Sequence, residues 1–430
     1  MSLKDAEKLQ AEMNLGMVGH VDHGKTTLTE ALSGVWTDRY SEEIERGISI
    51  KLGYADAIIC KCTSCPEPGC YWTKEMIKQE YKKLGRKKIN YDACPTCNSK
   101  IEFLRKIAFV DAPGHEILMA TMLSGASLMD GALLLVAADE KVPQPQTKEH
   151  LAALEIMNIK NIVIVQNKID AVPKEQSIEC FKQLQEFISG SIVENAPIIP
   201  ISAVFKVNLH ELVMFIEKHV PSPEKDIEKP TRFHIARSFD INKPGTKIDK
   251  LQGGVIGGTL SQGYLQVGDE IEIKPGLLGE NNKYIELTTT IETISVGSQL
   301  VDQAGPGGLL GIKTKLDPSL TKSDGLIGNI LGRKGDLPDV SDSIVIQAKL
   351  MEFVLGTKEK IAVKPLMQGE MLMLSIGTTT TVGTITKLAK KRIEIDLRRR
   401  ICADPGMSLA ISRLINKRWR LVGYGKLIST

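Results

Sequence analysis

The chain has 430 residues, 42% hydrophobic and 25% charged, which excludes a disordered tail and a fibrous repeat and suggests about two to four domains. Lys and Arg total 55 against 52 Asp and Glu, so any affinity for nucleic acid has to be local. The longest apolar run, Ala132 to Ala138, falls short of the roughly 18 residues that span a bilayer, the start MSLKDAEKLQAEM lacks a signal-peptide core, and eight Cys are too few for a disulfide scaffold; we expect a cytoplasmic protein with no membrane contact.

Up to about residue 220, short apolar runs alternate with helical spacing, the pattern of a mostly parallel α/β sheet with helices on both faces. The first run, LGMV, leads into GHVDHGKT (Gly19 to Thr26) and then the helical pattern TLTEAL. This spacing predicts a P-loop, whose inward N–H groups at a helix N-terminus bind phosphates. Asp22, His23, Gly24, Lys25, Thr26 and Thr27 are its nucleotide-binding residues, with Lys25 reaching the β and γ phosphates and the Thr26 hydroxyl ligating Mg²⁺.

Next comes a cysteine-rich insertion, about residues 60–100. Cys62 with Cys65 and Cys94 with Cys97 have the C-x-x-C spacing of a tetrahedral Zn²⁺ knuckle, separated by 28 residues, Pro66 to Ala93. Cys60 and Cys70 are near enough to substitute for a ligand. Four thiolates leave no open position for water, so the zinc is structural and staples an insertion expected near the switch segments.

The buried run IAFVD ends in DAPGH, Asp111 to His115. There a Walker-B carboxylate, Asp111, can hold Mg²⁺ through water, Gly114 can offer its N–H to the γ phosphate, and His115 is the catalytic residue that orients the attacking water. Two βα units later NIVIVQNKID places Asn167, Lys168 and Asp170 at a strand end, where a carboxylate can accept from guanine N1 and N2. The run APIIPIS leads into Ser202, Ala203 and Val204, with the Ala203 N–H directed at guanine O6.

PSPEKDIEKP, Pro221 to Pro230, is a linker, after which short β runs with Gly turns predict β-barrels, with a break at Gly332 to Asp342. The expected domains are 1–222, a GTP-binding domain, then barrels at 223–340 and 341–430. From Lys387 to Arg420 there are 11 Lys and Arg against three Asp and Glu, so the last barrel is the basic one, suited to RNA or ribosome contact.

With these motifs in order the chain resembles the translational GTPases, and most of all the gamma-subunit family of archaeal and eukaryotic translation initiation factor 2, through ERGISIKLGYADA (Glu45 to Ala57) and RSFDINKPG (Arg237 to Gly245). The resemblance implies GTP/GDP, Mg²⁺ and structural Zn²⁺ as bound groups, and adds Asp22, the Gly47 carbonyl and Ser49 to the magnesium set of Thr26 and Asp111. Ser49 stands where many translational GTPases have Thr. Slow intrinsic hydrolysis is expected, with Arg46 the one candidate for a finger in cis. The resemblance also implies a heterotrimer, with a beta subunit on the GTP-binding domain and an alpha subunit on the first barrel. That assembly carries initiator methionyl-tRNA to the small ribosomal subunit on mRNA. The alternatives are an elongation or selenocysteine-specific aminoacyl-tRNA carrier and the GTPase subunit of a sulfate-activating enzyme.

Overall fold

A computed structural model describes residues 3–37, 52–113, 119–279, 283–297, 299–355, 361–389 and 392–430. They form two compact units: residues 1–122 with 129–223, and residues 123–128 with 224–430.

The first unit is built on one sheet. Its strands are β1 (Met13–Gly19), β2 (Gly53–Cys62), β3 (Tyr71–Thr73), β4 (Ile101–Asp111), β5 (Gly131–Ala137), β6 (Ile162–Asn167) and β7 (Ile198–Pro200), in the order β3-β2-β4-β1-β5-β6-β7. β4, β1, β5, β6 and β7 are parallel neighbours. Every side chain of β1 and β5 is buried, as their uninterrupted apolar runs require of strands covered on both faces. On one face Leu133 and Leu135 join a core with Leu28 and Leu32 of α1 (Lys25–Ser33), Ile77 of α2 (Lys74–Lys83) and Leu212 of α5 (Leu209–His219). Strand residues alternate in direction, so Leu134 and Ile164 point the other way; α3 (Pro145–Ile156) and α4 (Lys174–Ile188) bury Leu154 and Leu184.

The edge departs from the βα expectation. The cysteine-rich insertion returns as an antiparallel partner, with β2 pairing to β4 from Gly53↔Asp111 to Cys62↔Ile101 and β3 pairing to β2. β4 therefore starts well before the apolar IAFVD run. Its Arg105 is buried by a helix end: the guanidinium donates to the carbonyls of Ile216 (3.0 Å) and Val220 (2.7 Å) and to Glu217 (2.8 Å), at the negative C-terminal end of α5.

In the second unit six strands between Arg232 and Arg333 close into a barrel, because Glu270–Leu278 pairs with both Ile330–Arg333 and Tyr284–Val296. Six more, from Val340–Leu350 to Arg418–Ser429, form a second closed barrel. Arg232 joins the two barrels by two bonds to Asp404, 2.7 and 2.9 Å, and Arg399 donates to the Ile327 carbonyl at 2.9 Å. Arg399 and Arg413, which binds Glu370 and the Lys364 carbonyl, are thus structural, whereas Arg392, Arg398 and Arg400 are exposed. Among the described residues no helix is long and apolar enough to cross a membrane.

Candidate nucleotide and metal sites

Four strand ends meet at one edge of the parallel sheet. β1 ends at Gly19 and the loop to α1 turns through Gly24, whose φ of 86° is left-handed. A Cβ on Gly24 would lie 2.3 Å from Asn167 Nδ2, so a side chain is excluded by space as well as by dihedral. Lys25, 6% exposed, bends back along the loop and donates from Nζ to the Gly19 and His20 carbonyls at 2.9 and 2.8 Å. Asp22 is exposed with a φ of 63°, and Thr27 is half-buried.

His23 does not face this loop's concavity. Its ring is buried, with Nδ1 2.8 Å from the Leu135 carbonyl and Nε2 3.2 Å from Glu140, and burial holds its pKa below the usual histidine range against the pull of these two acceptors. Its side chain braces the loop against β5, so only its backbone is available to a phosphate.

Asp111 ends β4 with 1% exposure. Its Oδ2 accepts from Thr26 Oγ1 at 2.9 Å and from Thr37 Oγ1 at 2.5 Å. The two residues expected to share magnesium, Thr26 and Asp111, are therefore in direct contact, and their oxygen chemistry fits a hard dication. Gly47, Ser49, Arg46, Gly114 and His115, expected in the site, lie outside the described residues.

At the base end, Asn167 is buried and linked on both sides. Its Nδ2 donates to the His23 carbonyl at 2.9 Å and its Oδ1 accepts the Ala203 N–H at 3.0 Å. That amide, expected on guanine O6, is here taken by Asn167. Lys168 adopts a φ of 60° and reaches Asp139 at 3.0 Å, while Asp170 is exposed. Ser202 is buried and accepts from the Phe205 N–H at 3.1 Å, with Val204 exposed beside it.

The sulfurs of Cys62, Cys65, Cys94 and Cys97 lie within 4.8 Å of one another, with close pairs at 3.3, 3.4 and 3.7 Å. A tetrahedral zinc with Zn–S of about 2.3 Å has S···S edges of about 3.8 Å, so the set fits the ion. Cys60 and Cys70 are outside it: the Cys60 thiol donates to the Trp72 carbonyl at 3.5 Å, and burial pushes both thiols up. Hydrogen bonds from Ser99 hold Cys97 down at about 6, which favours a thiolate there.

The expectation that the knuckle sits near the switch segments falls largely on residues 38–51 and 114–118, which lie outside the described residues. β2 leaves Asp111 at Gly53 and reaches the cysteines at Cys62, nine residues along an extended strand, so the cluster lies roughly 30 Å from the P-loop end. The antiparallel β2 and β4 carry the chain out to the cluster and back. The insertion packs on α5, where His210 Nδ1 contacts the Tyr71 carbonyl at 2.7 Å and its ring meets Trp72 edge-on at 4.2 Å. Removing the ion by chelation, or Cys65→Ser, is expected to lower the melting temperature by roughly 5–10 °C, the shift for about 2–3 kcal/mol in a domain this size. GDP affinity should stay within about twofold at that distance. A loss of GDP binding without a loss of stability would contradict this placement.

Known proteins bear on the same residues. Residues 10–222 match the family model of the elongation factor Tu GTP binding domain, and residues 342–427 match the model of the C terminal of initiation factor eIF2 gamma. Translation initiation factor 2 subunit gamma from Archaeoglobus fulgidus is 52% identical over 414 residues, 96% of this chain and 94% of that protein. The protein of that name from Methanocaldococcus jannaschii is 53% identical over 99% of both chains. The chain belongs to the translation initiation factor 2 gamma-subunit family.

As a gamma-family protein it is a translation initiation GTPase: it binds GTP and GDP and hydrolyses GTP. The fold is shared more widely. A bacterial selenocysteine-specific elongation factor superposes with a TM-score of 0.71 at 23% identity, over 97% of this chain, which spans 58% of that structure's length. Elongation factor SelB of Methanococcus maripaludis, bound to a GTP analogue, gives 0.69 at 22% identity over 98% of this chain and 80% of the other. Three contacts at these strand ends were not legible in the sequence: Thr37 to Asp111, Glu140 to His23, and the Asn167 amide between the His23 carbonyl and the Ala203 N–H. Thr37 and Glu140 belong to no spacing motif, and Asn167 gave only its place in NKID.

Proposed function

We propose that the chain is the core subunit of a heterotrimer which, with GTP bound, carries initiator methionyl-tRNA to the small ribosomal subunit and releases it after hydrolysis. The observation that carries this reading is the alignment at about 52% identity with proteins named translation initiation factor 2 subunit gamma, across 94% or more of their length. In it the alpha subunit binds the first barrel, the beta subunit binds the GTP-binding domain, and the work is done in the cytoplasm. The domains run 1–222, 223–340 and 341–430, and the exposed Arg392, Arg398 and Arg400 of the last barrel supply RNA contact.

Within the site, the backbone of residues 22–27 cradles the phosphates and Lys25 exchanges its bonds to the Gly19 and His20 carbonyls for phosphate oxygens. Thr26 and Asp111, with Asp22, Gly47 and Ser49, hold magnesium; the ion, when bound, neutralises charge on the phosphate oxygens. His115 orients the attacking water and Gly114 donates to the γ phosphate, with slow hydrolysis until an external activator docks. Asn167, Lys168 and Asp170 with Ser202, Ala203 and Val204 form the guanine end. Zinc on Cys62, Cys65, Cys94 and Cys97 holds the insertion closed.

The test is binding of initiator methionyl-tRNA against an elongator aminoacyl-tRNA, with a non-hydrolysable GTP analogue and with GDP, in the presence of the cognate alpha subunit. Initiator-selective binding that requires the GTP analogue is the expected outcome. Binding of the elongator in the GTP state would move the chain to the elongation class, and binding of neither would leave the sulfate-activation class to be tested through the response of GTP turnover to sulfate and ATP.

A further inference from the structure

We infer that Thr37 is a positioning residue of the magnesium site, its hydroxyl joining that of Thr26 to set the Asp111 carboxylate. The inference rests on the proposal that Asp111 holds magnesium. Thr37 lies in the loop after α1 and is 7% exposed; its Oγ1 donates to Asp111 Oδ2 at 2.5 Å across 74 residues of sequence. The same oxygen accepts from Thr26 Oγ1 at 2.9 Å. Two donors converging on one carboxylate oxygen, from two separate pieces of chain, fix the rotation of that carboxylate.

The fit around Thr37 is built. Gly53, at the start of β2, pairs in register with Asp111. A Cβ on Gly53 would lie 2.6 Å from Thr37 Cβ and 3.3 Å from Asp111 Cβ, so any larger residue there would push the threonine off the carboxylate. α1, the loop after it and the start of β2 thus converge on Asp111. A carboxylate that acts through a metal's water shell works only if its oxygens are held at the right angle, and partners of this kind typically set metal affinity by 10- to 100-fold.

The experiment follows release of a fluorescent GDP from the full chain as Mg²⁺ is titrated. In Thr37→Val the Mg²⁺ concentration for half-maximal slowing of release should rise roughly tenfold, while the release rate in excess EDTA stays that of the parent chain. Thr37→Ser keeps the hydroxyl and should restore the parent titration; Thr37→Ala, a truncation in place of an isostere, should shift it as the valine does. Asp111→Asn is read alongside. A shift in Asp111→Asn with Thr37→Val and Thr37→Ala overlaying the parent would overturn the role of Thr37 alone. No shift in Asp111→Asn would overturn the magnesium reading of Asp111 and this inference with it. Faster release in EDTA by the same factor as in Mg²⁺ would make Thr37 a packing residue only.

Discussion

Asp170→Asn is expected to lower GDP and GTP affinity by on the order of 10²- to 10⁴-fold and to make xanthosine diphosphate the preferred ligand. The magnitude follows from replacing a carboxylate that accepts from guanine N1 and N2, because hydrogen bonds to a charged group are worth about 1.5–3 kcal/mol each. The structure readies the side chain from the backbone outward. Lys168, in the left-handed region with a φ of 60°, turns the chain, Ile169 donates its N–H to the Ile201 carbonyl at 3.3 Å, and the Ala171 N–H closes the turn on the Lys168 carbonyl at 3.0 Å. Between these ties the Asp170 carboxylate is left at the surface. Because its carboxylate makes no hydrogen bond or ion pair among the described residues, the substitution should leave the melting temperature of the nucleotide-free chain close to that of the parent. Competition of xanthosine and guanosine diphosphates for the site measures the effect; unchanged guanine preference would remove Asp170 from the base pocket.

The parts of this site that sequence alone discloses are those whose chemistry is carried by contiguous residues. GHVDHGKT, NKID and SAV each sit at the end of an apolar run, and the parallel sheet brings those ends to one edge, so their meeting follows from fold class. The zinc set was legible for the same reason, each C-x-x-C being one local turn, but the exclusion of Cys60 and Cys70 needed the fold, which shows the thiol of Cys60 on β2 bonded to the Trp72 carbonyl and Cys70 placed just before β3 outside the sulfur cluster. Sequence was silent where a side chain from one segment fixes another. Thr37 lies 74 residues from Asp111, and Asn167 lies 144 from the His23 carbonyl that it binds. His23 shows the limit from the other side: its place in the P-loop pattern says phosphate, yet its imidazole is buried against Leu135 and Glu140. A motif reports which residue stands at a position and leaves open whether backbone or side chain acts there.

Asn167→Ala should weaken GTP and GDP alike, by roughly 30- to 1000-fold, while leaving guanine preferred over xanthine. Asn167 is 3% exposed and joins the phosphate end of the site to its base end: Nδ2 holds the His23 carbonyl in the P-loop at 2.9 Å and Oδ1 holds the Ala203 N–H at 3.0 Å. Truncation strands one carbonyl and one N–H in a buried place, at about 1–2 kcal/mol each, or about 2–4 kcal/mol in all. The cavity opens beside Gly24, whose Cα hydrogen faces Nδ2, so the P-loop loses the wall that keeps its turn tight. Both nucleotides use that turn, and this is why the loss should be common to them; Asp170 is untouched, and this is why base choice should survive. The measurement pairs affinities for GTP, GDP and xanthosine diphosphate with a melting curve. A variant whose melting temperature falls but whose nucleotide affinities hold would show that the Asn167 ties serve the fold of the domain without setting the shape of the pocket.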